Sequence, residues 1–227
     1  MSILLLWDID GTLLLNKGVG SRAMTRAFHE VYGVENAFAG LGFAGGLDLH
    51  FFDRAFEKAG LPRPEHIDDF LETYYRTLRD ELRSGDLTLL PGVVEILERA
   101  EQEPGLYNAL GTGNLEQGAR IKLEPFDLNR FFPVGGFCEA PVERWEVLQA
   151  GVENARRHFG VDFAPEQVVV IGDTVKDILA ARKINARVVA VHTGGSSRED
   201  LAALEPDLLL PSLAEPQDFW AWLNTCR

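Results

Sequence analysis

Asp8 and Asp10, two acids with one residue between them, follow directly on an apolar run and lead into Gly11 and Thr12. Carboxylates in that position can attack an electrophile, carry a proton or ligate a metal. Two other apolar runs end in polar clusters. One is Gly111-Thr112-Gly113-Asn114; the other is Gly172-Asp173-Thr174, with Asp177 four residues beyond Asp173. Each cluster also has a local explanation. Asp10-Gly11 fits a hairpin turn. Asn114 with Gln117, and Thr174 with Asp177, fit helix capping boxes. Those explanations work singly, but they do not account for three apolar runs that all end in polar residues.

Brought into one pocket, Asp8, Asp10, Asp173 and Asp177 would each resist ionising beside the others. A hard divalent cation among them relieves the repulsion. Magnesium fits best, because it takes few protein ligands and leaves positions open for water and phosphate.

Such a pocket needs a scaffold that aligns distant chain segments. Residues 3–7, 106–110, 168–171, 188–191 and 208–210 read as strands buried on both faces. Between them lie amphipathic stretches at 92–101, 115–123, 142–159, 175–184 and 216–223. The alternation predicts an α/β fold: a Rossmann-like parallel sheet with helices on both faces. Ligands of such sheets sit beyond the carboxyl ends of the strands, where the polar clusters fall.

Residues 16–86 break the alternation. Ser21 is placed to cap a helix with Ala23, Ala27, Phe28 and Val31 inward. Asp48 is placed to cap a second, with Phe51, Phe52, Ala55, Phe56 and Ala59 inward and Gly60 ending it. Residues 66–82 supply a third. An insert of about 70 residues is too long for a plain loop. The expected division is a catalytic core of 1–15 and 87–227 and an all-α cap domain of 16–86, with glycine-rich joints at 16–20 and 39–46.

The 227 residues are 46% hydrophobic and 25% charged, enough for a substantial core, and the formal net charge is -13. That acidity argues against nucleic acid or anionic membrane as partners. Cys138 and Cys226 form no C-x-x-C pair, and no stretch approaches the apolar length of a membrane span. A cytoplasmic location with two free thiols is expected.

The pentapeptide Asp8-Ile9-Asp10-Gly11-Thr12, Thr112 at a strand end, and Gly172-Asp173-Thr174-Val175-Lys176-Asp177 together resemble the motifs of the haloacid dehalogenase-like hydrolases, mostly phosphatases with an α-helical cap. The resemblance implies that Asp8 is the nucleophile, forming an aspartyl-phosphate, and that Asp10 is the general acid and base. It implies that Asp8, the Asp10 main-chain carbonyl, Asp173 and Asp177 serve the metal. It implies that Thr112, Gly113 and Asn114 bind phosphate. The basic residue such proteins carry between the second and last motifs is usually a lysine. Here Lys122 lies eight residues past Asn114, about 12 Å along a helix, which carries it away from the strand edge. Arg144, at the start of the next helix, is therefore the expected replacement, with Lys176 a lesser contender. A small phosphorylated metabolite is the implied substrate, with phosphoglycolate the familiar candidate. A phosphomutase acting on a sugar phosphate, or a non-catalytic binder of a phosphorylated ligand, remain the alternatives.

Overall fold

The central strand is β1 (Ile3–Trp7), every residue of which is buried. Its side chains alternate between the two faces of the sheet. Ile3, Leu5 and Trp7 enter one core cluster and Leu4 and Leu6 the other, as a strand covered on both faces requires. A computed structural model supplies the coordinates and describes residues 1–83, 85–140 and 142–227.

After β1 the chain makes β2 (Leu14–Asn16), then α1 (Val19–Tyr32), α2 (Asp48–Ala59) and α3 (Asp68–Leu82), and returns through β3 (Leu87–Leu89). β2 and β3 pair antiparallel, so the insert leaves and re-enters at one place. The remainder runs α4 (Val93–Gln102), β4 (Leu106–Gly111), α5 (Glu116–Leu123), β5 (Gly135–Gly136), α6 (Arg144–Phe159), β6 (Val168–Gly172), α7 (Val175–Lys183), β7 (Arg187–Val191), α8 (Arg198–Ala203), β8 (Leu208–Leu210) and α9 (Pro216–Thr225). The main sheet has the order β5-β4-β1-β6-β7-β8, and its pairings are parallel. Helices α6, α7 and α8 supply the core on one face, and α4, α5 and α9 on the other. The expected α/β fold with an inserted helical cap is the observed one.

The insert packs around aromatic rings. Phe28 has its ring centroid 5.0 Å from Phe56 and 5.8 Å from Phe70, and Phe52 lies 4.8 Å from Phe70. These near-perpendicular pairs suit the ring quadrupoles. Trp220 is buried and stacks under Arg99, 4.1 Å from its guanidinium. Both cysteines are free and buried. Among the described residues no helix is long and apolar enough to cross a membrane.

Three local expectations are corrected. α1 begins two residues before Ser21, behind Gly18 at φ 83; the Ser21 hydroxyl donates to the Gly18 carbonyl from inside the first turn. Asp48 is the first residue of α2, and the residue before the helix is Leu47. α3 starts at Asp68 instead of 66. β5 and α8 were not expected. A strand of two glycines has no apolar pattern, and six residues are too few to display a helical period.

β5 exists because glycine lets α6 come close. A Cβ on Gly136 would sit 1.9 Å from the Val147 carbonyl oxygen and 2.7 Å from the Gly151 nitrogen. Backbone atoms there cannot move aside. Gly136→Ala is expected to destabilise the protein by about 1–3 kcal/mol, lowering Tm by several degrees in a thermal melt.

Candidate active site

Two neighbouring strand ends and the start of a helix converge at one point. Asp8 follows β1, Asp173 follows β6, and Asp177 lies in the first turn of α7. Each offers a carboxylate oxygen, these atoms lie within 4.8 Å of one another, and all three residues are buried. Burial pushes the Asp8 carboxyl above its usual range; Arg144 opposes the rise, and Asp177 and Asp10 add to it. Asp173 is raised by burial and by the charges of Asp177 and Asp8. Two glycines make room for Asp173. A Cβ on Gly11 (φ +90) would meet its Oδ2 at 2.4 Å, and one on Gly194 at 2.0 Å. Three crowded hard oxygen donors suit a small divalent cation, and magnesium accepts that donor set.

Asp10 stands apart from this cluster. The turn at Gly11 sends its carboxylate the other way. Oδ2 accepts from Lys122 Nζ at 2.6 Å and Asn114 Nδ2 at 2.9 Å, and Oδ1 from Asn16 Nδ2 at 2.9 Å. Enclosure by itself would raise the Asp10 pKa. The Lys122 charge and these three hydrogen bonds outweigh that and hold it below the usual carboxylate range. The expectation of four acids in one cluster is thus corrected to three carboxylates, with a fourth paired to a lysine.

The placing of Lys122 is a second correction. It is buried, and its Nζ also donates to Asn114 Oδ1 at 2.6 Å. The expected 12 Å separation counted only backbone rise. Helical side chains lean toward the N-terminus, and Asn114 lies just before the first turn of α5. The long lysine stem covers the gap. Asn114 is therefore no helix cap: the residue before α5 is Leu115. Its amide instead links Asp10, Lys122 and the Thr112 hydroxyl.

Arg144 also reaches the centre. Its Nε donates to Asp177 Oδ1 at 2.7 Å, and its Nη2 lies 2.6 Å from that oxygen and 3.0 Å from Asp8 Oδ1. A cation in the first turn of a helix opposes the helix dipole; Asp8 and Asp177 offset that cost. Burial would lower the Arg144 pKa, and Asp177 and Asp8 together raise it, so the guanidinium stays charged. Asp177 does two jobs. Its Oδ2 accepts from the Thr174 amide and hydroxyl, closing the capping box that the sequence suggested, while Oδ1 holds Arg144.

Thr112 is fully buried, and its Oγ1 accepts from the Asn114 side chain at 2.8 Å and amide at 3.4 Å. The hydroxyl hydrogen is left to point elsewhere. Lys176, the lesser contender, is exposed and donates to the Ala44 carbonyl of the insert.

Asp48, on the insert, was expected to start a helix, with Gly45-Gly46-Leu47-Asp48 also a candidate surface of the cap facing the core. It is buried and grips the core. Its amide donates to the Gly113 carbonyl at 2.9 Å, and its Oδ2 accepts the Leu115 amide at 2.9 Å. The insert thus supplies the side-chain acceptor at the start of α5. A further strand-end loop, Thr193-Gly194-Gly195 after β7, closes the site. The Gly195 amide donates to Asp173 Oδ2, and the Thr193 hydroxyl to the Gly11 carbonyl, each at 2.5 Å. The rule that exposed the other three clusters, polar or glycine residues where a buried strand ends, applies to this one too. Together these elements enclose a cavity of about 460 Å³.

Residues 4–185 match the sequence profile of the haloacid dehalogenase-like hydrolases. A phosphoglycolate phosphatase of Agrobacterium fabrum is 30% identical over 167 residues, 71% of this chain and 67% of that protein. A phosphoglycolate phosphatase of Nitrosococcus oceani is 37% identical over 62 residues, and the match spans only 27% of either chain. The fold is that of CbbY from Rhodobacter sphaeroides, solved in complex with phosphate, with a TM-score of 0.69 over 95% of this chain and 96% of that one at 21% identity. The chain belongs to the haloacid dehalogenase-like hydrolases, on their phosphatase side.

Asp48 gives a test of the contact between insert and core. Burial raises its pKa to about 6, with Lys122 and the Leu115 amide opposing. A carboxyl whose folded pKa is raised binds more protons folded than unfolded, so stability falls as pH rises from about 4 to about 6. Asp48→Asn keeps an acceptor for Leu115 and removes that slope. Urea denaturation should show the variant gaining on the parent through this window and levelling off above it, by about 1–3 kcal/mol.

Proposed function

We propose that the protein is a magnesium-dependent phosphatase that hydrolyses a small phosphorylated metabolite through a phosphoryl group carried on Asp8. The observation that supports it most is the meeting of the Asp8, Asp173 and Asp177 carboxylates with Arg144 where β1 and β6 end. Asp8, Asp173, Asp177 and the Asp10 main-chain carbonyl would hold the magnesium, which neutralises charge on the phosphate oxygens.

In the first half-reaction an Asp8 carboxylate oxygen bonds to phosphorus as the ester P–O bond breaks, and the leaving alcohol takes a proton from Asp10. In the second, water attacks the same phosphorus and gives its proton to Asp10. Asp8 is restored and inorganic phosphate departs. Arg144 opposes the effect of burial on Asp8 and so favours the ionised carboxylate that a nucleophile requires. The pairing with Lys122 keeps Asp10 in its ionised form, which is the state that accepts the proton of water. Acting as acid requires the bound substrate to loosen that pair. The Thr112 hydroxyl and the backbone amides of Gly113 and Asn114 would bind phosphate oxygens, beside the N-terminus of α5. Residues 16–86 would act as a cap that opens to admit substrate and closes to exclude water.

Two relatives are named phosphoglycolate phosphatase, which makes 2-phosphoglycolate the first ester to assay. Release of inorganic phosphate in magnesium should stop on adding EDTA and resume with excess magnesium. Asp8→Asn should lower kcat by about 10⁴-fold or more. Arg144→Lys should recover little of the loss seen in Arg144→Ala, since an ammonium cannot span two carboxylates as a guanidinium does. Activity surviving Asp8→Asn would rule out the covalent route. A sugar phosphate converted to its isomer without phosphate release would indicate a phosphomutase instead.

A further inference from the structure

The cavity has two unlike walls. The strand-end wall carries Asp8, Asp10 and Asp173. Both cations that line the cavity, Lys122 and Arg144, are already matched there, Lys122 by Asp10 and Arg144 by Asp8 and Asp177. The opposite wall comes from the insert: Met24, Phe43 and Phe51, joined by Leu15, give it a large apolar area, while Asn16 and Ser21 are its uncharged polar side chains. Among the described residues, no lysine, arginine or histidine of the insert lines the cavity. Its one charged contributor, Asp48, is an acid.

The aromatic pair is built to stay there. The Phe43 and Phe51 centroids are 4.3 Å apart with the rings inclined at 36°. Phe51 lies against Gly46, where a Cβ would come within 2.0 Å of the ring. Both residues are half-buried and both line the cavity.

We infer that this site takes phosphate monoesters whose leaving group is uncharged and apolar, lying against Phe43 and Phe51, and that it discriminates against leaving groups bearing a carboxylate or a second phosphate. This rests on the phosphatase proposal above and narrows it. The phosphate end of a substrate would meet the Thr112 hydroxyl and a cation held by the carboxylate cluster. A second anion would enter a cavity lined by four acids with no unmatched cation within it, and a buried charge without a partner is strongly disfavoured. An apolar group can lie against the Phe43 and Phe51 rings, a surface that gains from leaving water. 2-Phosphoglycolate carries such a carboxylate, so the substrate in the relatives' names is the one this wall disfavours.

The test compares esters of unactivated alcohols, so that leaving-group reactivity does not decide the outcome. For the parent enzyme with magnesium, kcat/KM should be at least tenfold higher for benzyl phosphate than for ethyl phosphate. It should be at least tenfold higher for the neutral amide of 2-phosphoglycolate than for 2-phosphoglycolate itself; pocket contacts of this size commonly discriminate by about 10–200-fold. Within each of Phe43→Ala and Phe51→Ala, the benzyl-to-ethyl ratio should fall at least threefold. A general loss of folding lowers both esters and leaves the ratio alone. Phe43→Arg should raise 2-phosphoglycolate relative to its amide. If 2-phosphoglycolate equals or exceeds its amide, the inference is overturned and the phosphatase proposal stands. If no ester turns over, the phosphatase proposal falls. Calorimetry with benzylphosphonate and phosphonoacetate then decides the wall separately: tighter benzylphosphonate supports it, and equal or tighter phosphonoacetate refutes it.

Discussion

Buried carboxylates repel, and this molecule holds three of them with oxygens within 4.8 Å of one another where two neighbouring strands end. Much of the surrounding structure serves to make that crowding tolerable. Arg144 sits against Asp8 and Asp177, although a guanidinium at the start of a helix opposes the helix dipole. The Gly195 amide and the Thr12 hydroxyl both turn toward Asp173. Gly11 and Gly194 give up their side chains so that the Asp173 carboxylate has somewhere to lie. An ion pair this deep stabilises only when its partners are fully engaged. The strain left over in Asp8 and Asp173, both reluctant to ionise, is what a bound dication would relieve.

The sheet explains why such a cluster can form at all. β1 lies between β4 and β6, with both pairings parallel. Parallel strands deliver their carboxyl ends to one edge. Residues far apart in sequence therefore arrive together without any long side chain reaching for them. The exceptions are Lys122 and Arg144, which come from helices and bridge the distance with flexible stems. They separate the two acids of the opening motif into different environments. Asp8 shares the carboxylate cluster with Arg144, while Asp10 is tied to Lys122 and two amides.

The insert is joined to the core through polar contacts as well as apolar ones. Asp48 offers its amide and its carboxylate to successive groups at the start of α5, and Lys176 holds the Ala44 carbonyl from the other side. These contacts close the cavity over the strand ends. Their cost falls on Asp48, buried and hard to ionise.

The alternation of buried runs and amphipathic stretches was enough to anticipate the parallel sheet, because a strand covered on both faces has no polar side to disguise it. The polar residues ending those runs marked Asp8, Thr112, Asp173 and Asp177 for the same reason. Features whose partners are remote in sequence were not legible. Lys122 was misplaced because backbone rise says nothing about where a long side chain leans. Asp48 and Asn114 were assigned to their own helices because the capping pattern is local, whereas their actual partners lie across the molecule. β5 carried no signal, since two glycines show only that something must come close. Sequence by itself determined which residues could do chemistry and which edge they would share, because side-chain period and strand polarity are local properties. Only the tertiary structure decided which charge offsets which, because pairing depends on distances between segments that the chain order does not encode.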